Sequence, residues 1–294
     1  MKRLHANALL LLTSAVWGLA FVAQRVGMDY VGPFTFNALR FALGSAALWG
    51  LIRWRDAGGL PIVQAVAAGD ASPGWVRWGL LLGTVLFGGA SLQQAGLVYT
   101  TAGKAGFITG LYVVLVPLVG AWMGARHGRN VWTGALLALA GLYLLSVTGA
   151  WRMAWGDFLV FLSALFWTGH VLLVDNLTAR FDSLRLAALQ FSVVATLSAL
   201  SALLWETTSP QAVLGASWAI LYGGLLSVGV GYTLQVIAQQ YTPPAHAAII
   251  FSLESVFALL GGVVLLSEPL TARSAVGSLL MLAGMFVSQR SPPA

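Results

Sequence analysis

The segment LQQAGLVYTTAGKAGFI at residues 92–108 has a counterpart in the second half of the chain, LQVIAQQYTPPAHAAII at residues 234–250. Aligning the two segments pairs Gln93 with Gln235. Further matches on either side join residues 36–49 to 186–199 and residues 137–146 to 280–288. A match between the two halves of a chain indicates an internal repeat.

The composition is that of a protein embedded in a membrane. Of the 294 residues, 59% are hydrophobic and 8% are charged, whereas soluble domains carry about 25% charged residues. The net charge is +6, but the basic residues stand singly at the ends of apolar runs. This pattern orients helices in a membrane and argues against a nucleic-acid partner. The chain has no cysteine, which excludes disulfides and thiolate metal sites.

Ten stretches have the apolar length of about 20 residues that a membrane-spanning helix needs. The predicted spans are 6–26, 34–54, 76–98, 103–124, 130–148, 155–175, 184–205, 216–240, 245–266 and 271–289. The first follows a basic N-terminus but has no clear cleavage signature, so we expect a retained helix rather than a signal peptide. The longest connection, residues 55–74, has room for a short interfacial helix.

Basic residues predict the orientation of the spans. With a cytoplasmic N-terminus, the cytoplasmic ends carry Lys2, Arg3, Arg53, Arg55, Arg77, Arg126, Arg129, Arg180, Arg185 and Arg290. The opposite ends carry Arg25, Lys104, Arg152 and Arg273. This excess of basic residues on one side predicts a multi-pass protein of the bacterial inner (plasma) membrane with both termini in the cytoplasm.

Each half of the chain holds five predicted spans. Because five is an odd number, the second half must enter the membrane from the opposite side. Secondary transporters share this inverted-repeat design, and their substrate sites lie near the midplane between the repeats. We therefore predict an all-α integral membrane protein in which ten transmembrane helices form two inverted five-helix repeats, residues 1–150 and 151–294, around a central cavity. A duplication that only stabilises a helix bundle is the alternative.

Polar and aromatic side chains at membrane depth fall mainly on spans one, three, four, six, eight and nine. The candidate substrate-binding residues are Trp17, Phe21, Gln93, Tyr112, Phe166, Trp167, His170, Tyr232, Gln235 and Glu254. On span six, the aromatic counterpart of Trp17 is Phe166 or Trp167, since the alignment is uncertain there by one or two residues. Structural roles stay open, because aromatic rings also serve packing and buried amides and His170 also bond across helices.

Glu254 is an acid within a long apolar stretch and pairs with Tyr112 in the repeat alignment. A carboxyl group at membrane depth faces the bundle interior or water and is a functional candidate by default. Binding a cationic substrate and protonation during a transport cycle are two functional roles, and a neutral hydrogen-bonded acid is the structural one. Arg40, the only basic residue at depth, could neutralise a substrate carboxylate, but its counterpart Gln190 favours a structural hydrogen bond.

Proline and glycine predict mechanical features. Pro243 and Pro244 stop the helix between spans eight and nine, and Pro117 frees a backbone carbonyl within span four. We interpret these three prolines as hinge candidates for alternating access. Spans five and ten each carry two glycines seven residues apart, namely Gly134 with Gly141 and Gly277 with Gly284. Such faces suit close helix packing, either within the scaffold or in a homodimer.

Residues 252–287, SLESVFALLGGVVLLSEPLTARSAVGSLLMLAGMFV, together with the ten spans and the repeat, resemble the drug/metabolite transporter superfamily, specifically its EamA-type members. The resemblance covers essentially the whole chain, and its strongest motif is the acid–proline turn Glu268–Pro269. The first repeat lacks this turn and has GARHGRN at 124–130. The resemblance implies an export carrier with a central cavity. The chain is most similar to the YddG-type amino acid exporters, whose substrates include aromatic residues.

The predicted function is export of small amphipathic metabolites, above all amino acids. The expected partners are this substrate and membrane lipid, and no cofactor is expected. An exporter of cationic drugs or amines that uses Glu254 as counter-charge is the alternative. A phosphorylated substrate is disfavoured, since such ligands need several basic groups. The sequence lacks H-E-x-x-H, G-x-S-x-G and acidic metal clusters, so an enzyme is a remote alternative, as is a structural or receptor role.

Overall fold

The helices of the chain follow from its apolar stretches and end where prolines, glycines or charges occur. A computed structural model describes residues 3–58, 74–100, 102–146, 154–266 and 270–290. The long helices are α1 (Arg3–Gly27), α2 (Pro33–Asp56), α3 (Trp75–Tyr99), α6 (Arg129–Ser146), α7 (Trp155–Thr178), α8 (Ser183–Trp205) and α15 (Ala272–Gln289). The shorter ones are α4 (Ala102–Gly110), α5 (Tyr112–Trp122), α9 (Pro210–Gly215), α10 (Ser217–Leu221), the π-helical α11 (Tyr222–Tyr232), α12 (Thr233–Gln239), α13 (Pro244–Phe251) and α14 (Glu254–Leu266).

Seven helical stretches of the described chain are long and apolar enough to cross a membrane. They are α1, α3, α7, α8 and the composite stretches Lys104–Trp122, Ser217–Gln239 and Pro244–Gly261. The remaining long helices, α2, α6 and α15, coincide with predicted spans two, five and ten but are not among the seven. An all-helical membrane protein is thus confirmed, and the count of ten spans stays a prediction.

The predicted span boundaries agree with the helices to within about three residues wherever the structure describes them. Two predicted features lie outside the described residues. One is most of the 55–74 connection with its interfacial helix, and the other is the Glu268–Pro269 turn.

Predicted spans four and nine are each interrupted, and the two interruptions fall at paired positions of the repeat alignment. Leu111 separates α4 from α5, and Ser252 and Leu253 separate α13 from α14. At both points the backbone makes tighter i→i−3 hydrogen bonds, from the Leu111 amide to Ile108 (3.2 Å) and from the Leu253 amide to Ile250 (3.1 Å). Neither interruption contains proline, so a local tightening of the helix accounts for both.

The three prolines interpreted as hinge candidates differ in whether they interrupt a helix. Pro117 lies inside α5, which continues to Trp122, so the interruption of this span is at Leu111 and not at Pro117. A proline removes only one backbone hydrogen bond, and the neighbouring turns keep α5 helical. Pro244 is the first residue of α13 and Pro243 precedes it, which confirms that these prolines separate spans eight and nine.

α6 and α15 pack closely through the glycines that the sequence singled out. A Cβ atom placed on Gly134 would lie 2.6 Å from the Gly284 carbonyl oxygen, and one placed on Gly141 would overlap the Gly277 carbonyl oxygen. The two glycine faces therefore pack against each other within one chain, as expected if spans five and ten belong to the scaffold. A homodimer through spans five and ten stays a prediction and would have to use other faces of these helices.

Two further helix pairs bring the centre of the molecule together. α2 packs on α8, where the Ser45 and Ser192 hydroxyls are 2.8 Å apart and the ring centroids of Phe41 and Phe191 are 6.1 Å apart. α3 packs on α7, where Gly89 lies under the indole of Trp167. These contacts fix the positions of Arg40 on α2, Gln93 on α3 and Trp167 on α7.

The glycine contact between α6 and α15 gives a first prediction. Gly141→Ala would normally stabilise a helix by about 1 kcal/mol, but here its methyl group meets backbone that cannot yield, and overpacking costs about 1–3 kcal/mol. We expect a lower midpoint of thermal unfolding for the purified protein in detergent. Gly50→Ala is the matched control, because nothing lies within 4 Å of a Cβ atom at Gly50. An unchanged or higher midpoint for Gly141→Ala would contradict the close contact.

Candidate functional site

A polar cavity lies between helices from both halves of the chain. Its lining consists of Trp17, Phe21, Gln24, Arg40, Gln93, Thr109, Tyr112, Trp167, Val171, Ser227, Tyr232, Gln235, Phe251 and Glu254. The centres of water-sized molecules fit over about 40 Å³ of this cavity, which is room for a few waters at most. A larger molecule can therefore enter only if the lining moves apart.

The two helix interruptions meet in this cavity. Tyr112 begins α5 and Glu254 begins α14, each directly after its interruption. The Tyr112 hydroxyl donates a hydrogen bond of 2.8 Å to Glu254 Oε1. Both side chains are buried, with 5% and 3% of their surface exposed. Because Tyr112 and Glu254 are paired in the repeat alignment, this bond joins equivalent points of the two halves.

Arg40 reaches the cavity from the middle of α2. Its Nε donates a hydrogen bond of 2.9 Å to Asn37 Oδ1, and Asn37 in turn donates to the Ala90 carbonyl (3.2 Å). The guanidinium carbon lies 4.9 Å from the ring centroid of Phe41 and 5.5 Å from that of Phe36. This is the distance range of cation–π attraction. The side chain is 2% exposed, so the guanidinium group is held in place and largely shielded from water.

Neither charged group has an ion-pair partner within the described part of the chain. No carboxylate of the described residues approaches Arg40, and no basic group approaches Glu254, to ion-pair distance. Both groups line the same cavity as Tyr232. The described residues also contain no group of three or more His, Asp or Glu side chains that could hold a metal ion.

The paired glutamines have different hydrogen-bond partners. Gln93 Oε1 accepts from Trp167 Nε1 (2.9 Å) and from the Thr109 hydroxyl (3.4 Å), while its amide nitrogen donates to Gln24 (3.3 Å). Gln235 instead donates to Gln239 (2.7 Å). Its Oε1 is buried without a hydrogen-bond partner among the described residues. Buried polar groups normally have partners, so Gln235 Oε1 stands out as an unpaired buried acceptor of a cavity-lining residue.

Aromatic rings form one wall of the cavity around Tyr232. The Tyr232 centroid lies 4.7 Å from Trp17 and 6.1 Å from Trp167, and the Trp167 ring is stacked at 23°. Phe251 adds a further ring, 5.3 Å from Trp17. Trp17 Nε1 donates to the Ser227 carbonyl (3.2 Å). Stacked and tilted rings of this kind favour apolar or aromatic groups.

Eight of the ten predicted binding residues line the cavity. The two others, Phe166 and His170, do not. Phe166 is 40% exposed and lies against Gly88 on the outer side of α7, so Trp167 is the aromatic counterpart of Trp17. His170 is 1% exposed and stands behind the wall, edge-on to Trp167 and Tyr232. It bonds Gln190 Oε1 at 2.8 Å, which is the structural role.

Six lining residues were absent from the predicted set, namely Gln24, Arg40, Thr109, Val171, Ser227 and Phe251. Gln24 shares a helix face with Trp17, and Arg40 is a charge at membrane depth, so both carried a signal in the sequence. Thr109, Ser227, Val171 and Phe251 carried none, because small hydroxyls and apolar side chains are common in membrane helices.

Comparison with known proteins identifies a family for this fold and cavity. The chain matches the EamA-like transporter family over residues 5–147 and again over residues 154–289. An uncharacterized transporter of Archaeoglobus fulgidus is 32% identical over 295 residues, covering 99% of this chain and 88% of that protein. The uncharacterized transporter YoaV of Bacillus subtilis is 22% identical over 281 residues, covering 93% and 92%.

The fold is also found among solved structures. One protein of known crystal structure superimposes with a TM-score of 0.78 at 22% identity, covering 97% of this chain and 98% of that chain. The family and the names of the relatives point to transport rather than catalysis. The chain belongs to the EamA-like transporter family and is a multi-pass membrane transporter.

Proposed function

We propose that this transporter exports small amphipathic metabolites, above all amino acids with aromatic or hydrophobic side chains, by alternating access around the cavity. The observation that carries this proposal is the content of one cavity: aromatic rings on one side, amide groups, and a guanidinium and a carboxyl group that are not paired with each other. Aromatic rings suit the side chain of such a substrate. The amides and charges suit its ammonium and carboxylate groups.

The proposal includes ten spans arranged as two inverted repeats, residues 1–150 and 151–294. Two observations support this arrangement. The family matches each half of the chain separately, and the interruptions at Leu111 and Ser252–Leu253 occupy paired positions. Inverted repeats provide alternating access, because one repeat can rock against the other around a fixed central site.

The small size of the cavity fits a transport cycle. The space of about 40 Å³ for water-sized molecules is too small for an amino acid, so the lining would have to move apart to admit one. Opening toward one face and then the other would require the lining helices to move. The interruptions beside Tyr112 and Glu254 are points where two of these helices can bend.

An exporter of cationic drugs or amines is the second candidate function. It is supported by Glu254, which lies in the same cavity as Trp17 and Tyr232, rings that could face a cation. Arg40 disfavours this alternative, because its positive charge lines the same cavity. A cationic substrate would bring a second positive charge into a space of low dielectric.

We expect transport of labelled phenylalanine by the purified protein in liposomes, and slower transport by two variants. Trp17→Ala removes an aromatic wall, and Glu254→Gln removes the negative charge while keeping the volume and the acceptor for Tyr112. Loss of an interaction worth about 1.4 kcal/mol lowers affinity about tenfold, so at substrate concentrations well below saturation each variant should transport at about one tenth of the parental rate or less. Rates are compared at equal amounts of inserted protein.

Trp155→Ala is the matched control for Trp17→Ala. Trp155 is 63% exposed at the start of α7 and is not part of the cavity. Its variant should transport at the parental rate. Parental rates for both Trp17→Ala and Glu254→Gln would show that the cavity is not the substrate site. Transport of phenethylamine without transport of any amino acid would support the amine exporter instead.

The proposed orientation can be tested because the chain has no cysteine. Thr207→Cys places a thiol in the connection after α8, and Arg126→Cys places one in the connection after α5, both at exposed positions. With ten spans and cytoplasmic termini, the first faces outward and the second faces the cytoplasm. A membrane-impermeant maleimide should therefore label Thr207→Cys in spheroplasts, in which the outer face of the inner membrane is accessible, and label Arg126→Cys only after disruption of the membrane.

The cysteine-free parent is the control for background labelling. Labelling of Arg126→Cys but not Thr207→Cys in intact spheroplasts would reverse the proposed orientation. Equal labelling of both before disruption would contradict the arrangement of spans between them.

A further inference from the structure

We infer that Arg40 and Glu254 bind the two ends of one zwitterion, so that the transporter selects α-amino acids over amines and over carboxylic acids of the same shape. In this arrangement the terminal nitrogens of Arg40 bind the substrate carboxylate, and Glu254 Oε2 accepts from its ammonium group. The inference rests on the proposed function and assigns the polar recognition in the same cavity.

The hydrogen bonding of Arg40 leaves the two terminal nitrogens of its guanidinium group available to a ligand. Its one hydrogen bond within the described chain comes from Nε, which donates to Asn37 Oδ1. The two terminal nitrogens make none with the described residues, although the side chain is 2% exposed and lines the cavity. A planar guanidinium group binds a carboxylate through two parallel N–H donors. Asn37 and the rings of Phe36 and Phe41 hold the guanidinium group in place, so little conformational freedom is lost on binding.

Glu254 likewise has one carboxyl oxygen that is hydrogen-bonded within the protein and one that is not. Oε1 accepts from the Tyr112 hydroxyl at 2.8 Å. Oε2 makes no hydrogen bond with the described residues, and the side chain lines the cavity. A carboxylate oxygen can accept from an ammonium group in a charge-assisted hydrogen bond. Tyr112 therefore orients the carboxyl group and leaves one oxygen for a ligand.

The separation of the two charges favours a ligand that carries both. Arg40 and Glu254 line the same cavity but form no ion pair with each other. A buried charge without a partner is costly. A zwitterion supplies a partner to both groups at once, whereas an amine leaves Arg40 unpaired and a carboxylic acid leaves Glu254 unpaired.

The aromatic wall determines where the rest of the substrate lies. Tyr232 lines the same cavity as Arg40 and Glu254, and its ring centroid lies 4.7 Å from that of Trp17 and 6.1 Å from that of Trp167. A substrate whose ammonium and carboxylate groups span Arg40 and Glu254 therefore has its side chain beside these three rings. This places an apolar or aromatic side chain where burial and stacking favour it.

The test measures three competitors against labelled phenylalanine in liposomes: phenylalanine itself, phenethylamine, which lacks the carboxylate, and 3-phenylpropionate, which lacks the ammonium group. Hydrogen bonds to charged groups contribute roughly 1.5–3 kcal/mol, so the parental protein should bind each analogue about 10- to 100-fold more weakly than phenylalanine. Arg40→Gln should weaken binding of phenylalanine by a similar factor, but leave the affinity for phenethylamine unchanged or raised, because the like charge is removed. Glu254→Gln should weaken binding of phenylalanine, but leave the affinity for 3-phenylpropionate unchanged or raised, for the same reason.

Arg40→Lys keeps the charge and removes the planar fork, so it should keep the preference over phenethylamine but bind phenylalanine more weakly than the parent. Arg126→Gln, at an exposed arginine outside the cavity, should change none of the three affinities. If a variant is too slow for transport, the shift of its thermal unfolding midpoint by each of the three compounds gives the same comparison.

Two results would overturn the inference and leave the proposed function intact. One is a parental protein that transports phenylalanine but binds both analogues as tightly. The other is an Arg40→Gln variant in which all three affinities fall by one common factor, because a structural role of Arg40 would have that effect. A parental protein that transports no amino acid would overturn the proposed function itself.

Discussion

The hydrogen bond between Tyr112 and Glu254 is the constraint on which the centre of the molecule depends. Each partner begins a helix directly after an interruption, so the bond joins the two points at which α4–α5 and α13–α14 are discontinuous. A carboxyl group at membrane depth needs such a partner, because leaving it unpaired in apolar surroundings is costly. The interaction that provides the acid with a partner thereby also ties together the two interrupted helices.

The remaining polar groups of the cavity follow the same rule with different partners. Asn37 holds Arg40, Trp167 and Thr109 hold Gln93, and Gln239 holds Gln235. In each case one part of the side chain is fixed by the protein, and for Arg40, Gln235 and Glu254 another part is left without a partner among the described residues. The protein thus holds these polar side chains in position while leaving some of their hydrogen-bonding capacity unused among the described residues.

Much of the architecture could be predicted from the sequence, because apolar length and proline position determine where membrane helices begin and end. The cavity residues Trp17, Gln93 and Glu254 could be found for a similar reason: polar and aromatic groups at depth need a special environment. The interruptions at Leu111 and Leu253 could not be found, since neither contains the proline that marks most breaks. Each is a local tightening of the helix within an apolar stretch and has no sequence marker of its own.

The errors in the site have equally specific causes. Phe166 and Trp167 are neighbours about 100° apart on a helix, so a one-residue uncertainty in alignment decides which of them faces the cavity. Arg40 and Gln190 also have different surroundings. The two are paired in the repeat alignment, yet Gln190 bonds His170 behind the wall whereas Arg40 lines the cavity.

The π-helical segment α11, Tyr222–Tyr232, contains wider turns than an α-helix and ends at the tyrosine around which the aromatic wall is built. A π turn holds one more residue than the corresponding α turn. If one such turn tightened to α-helical geometry, everything beyond it would rotate by roughly 100° about the axis. Tyr232 would then swing away from Trp17 and Trp167, so a change of backbone register could dismantle the aromatic wall without displacing the helix as a whole.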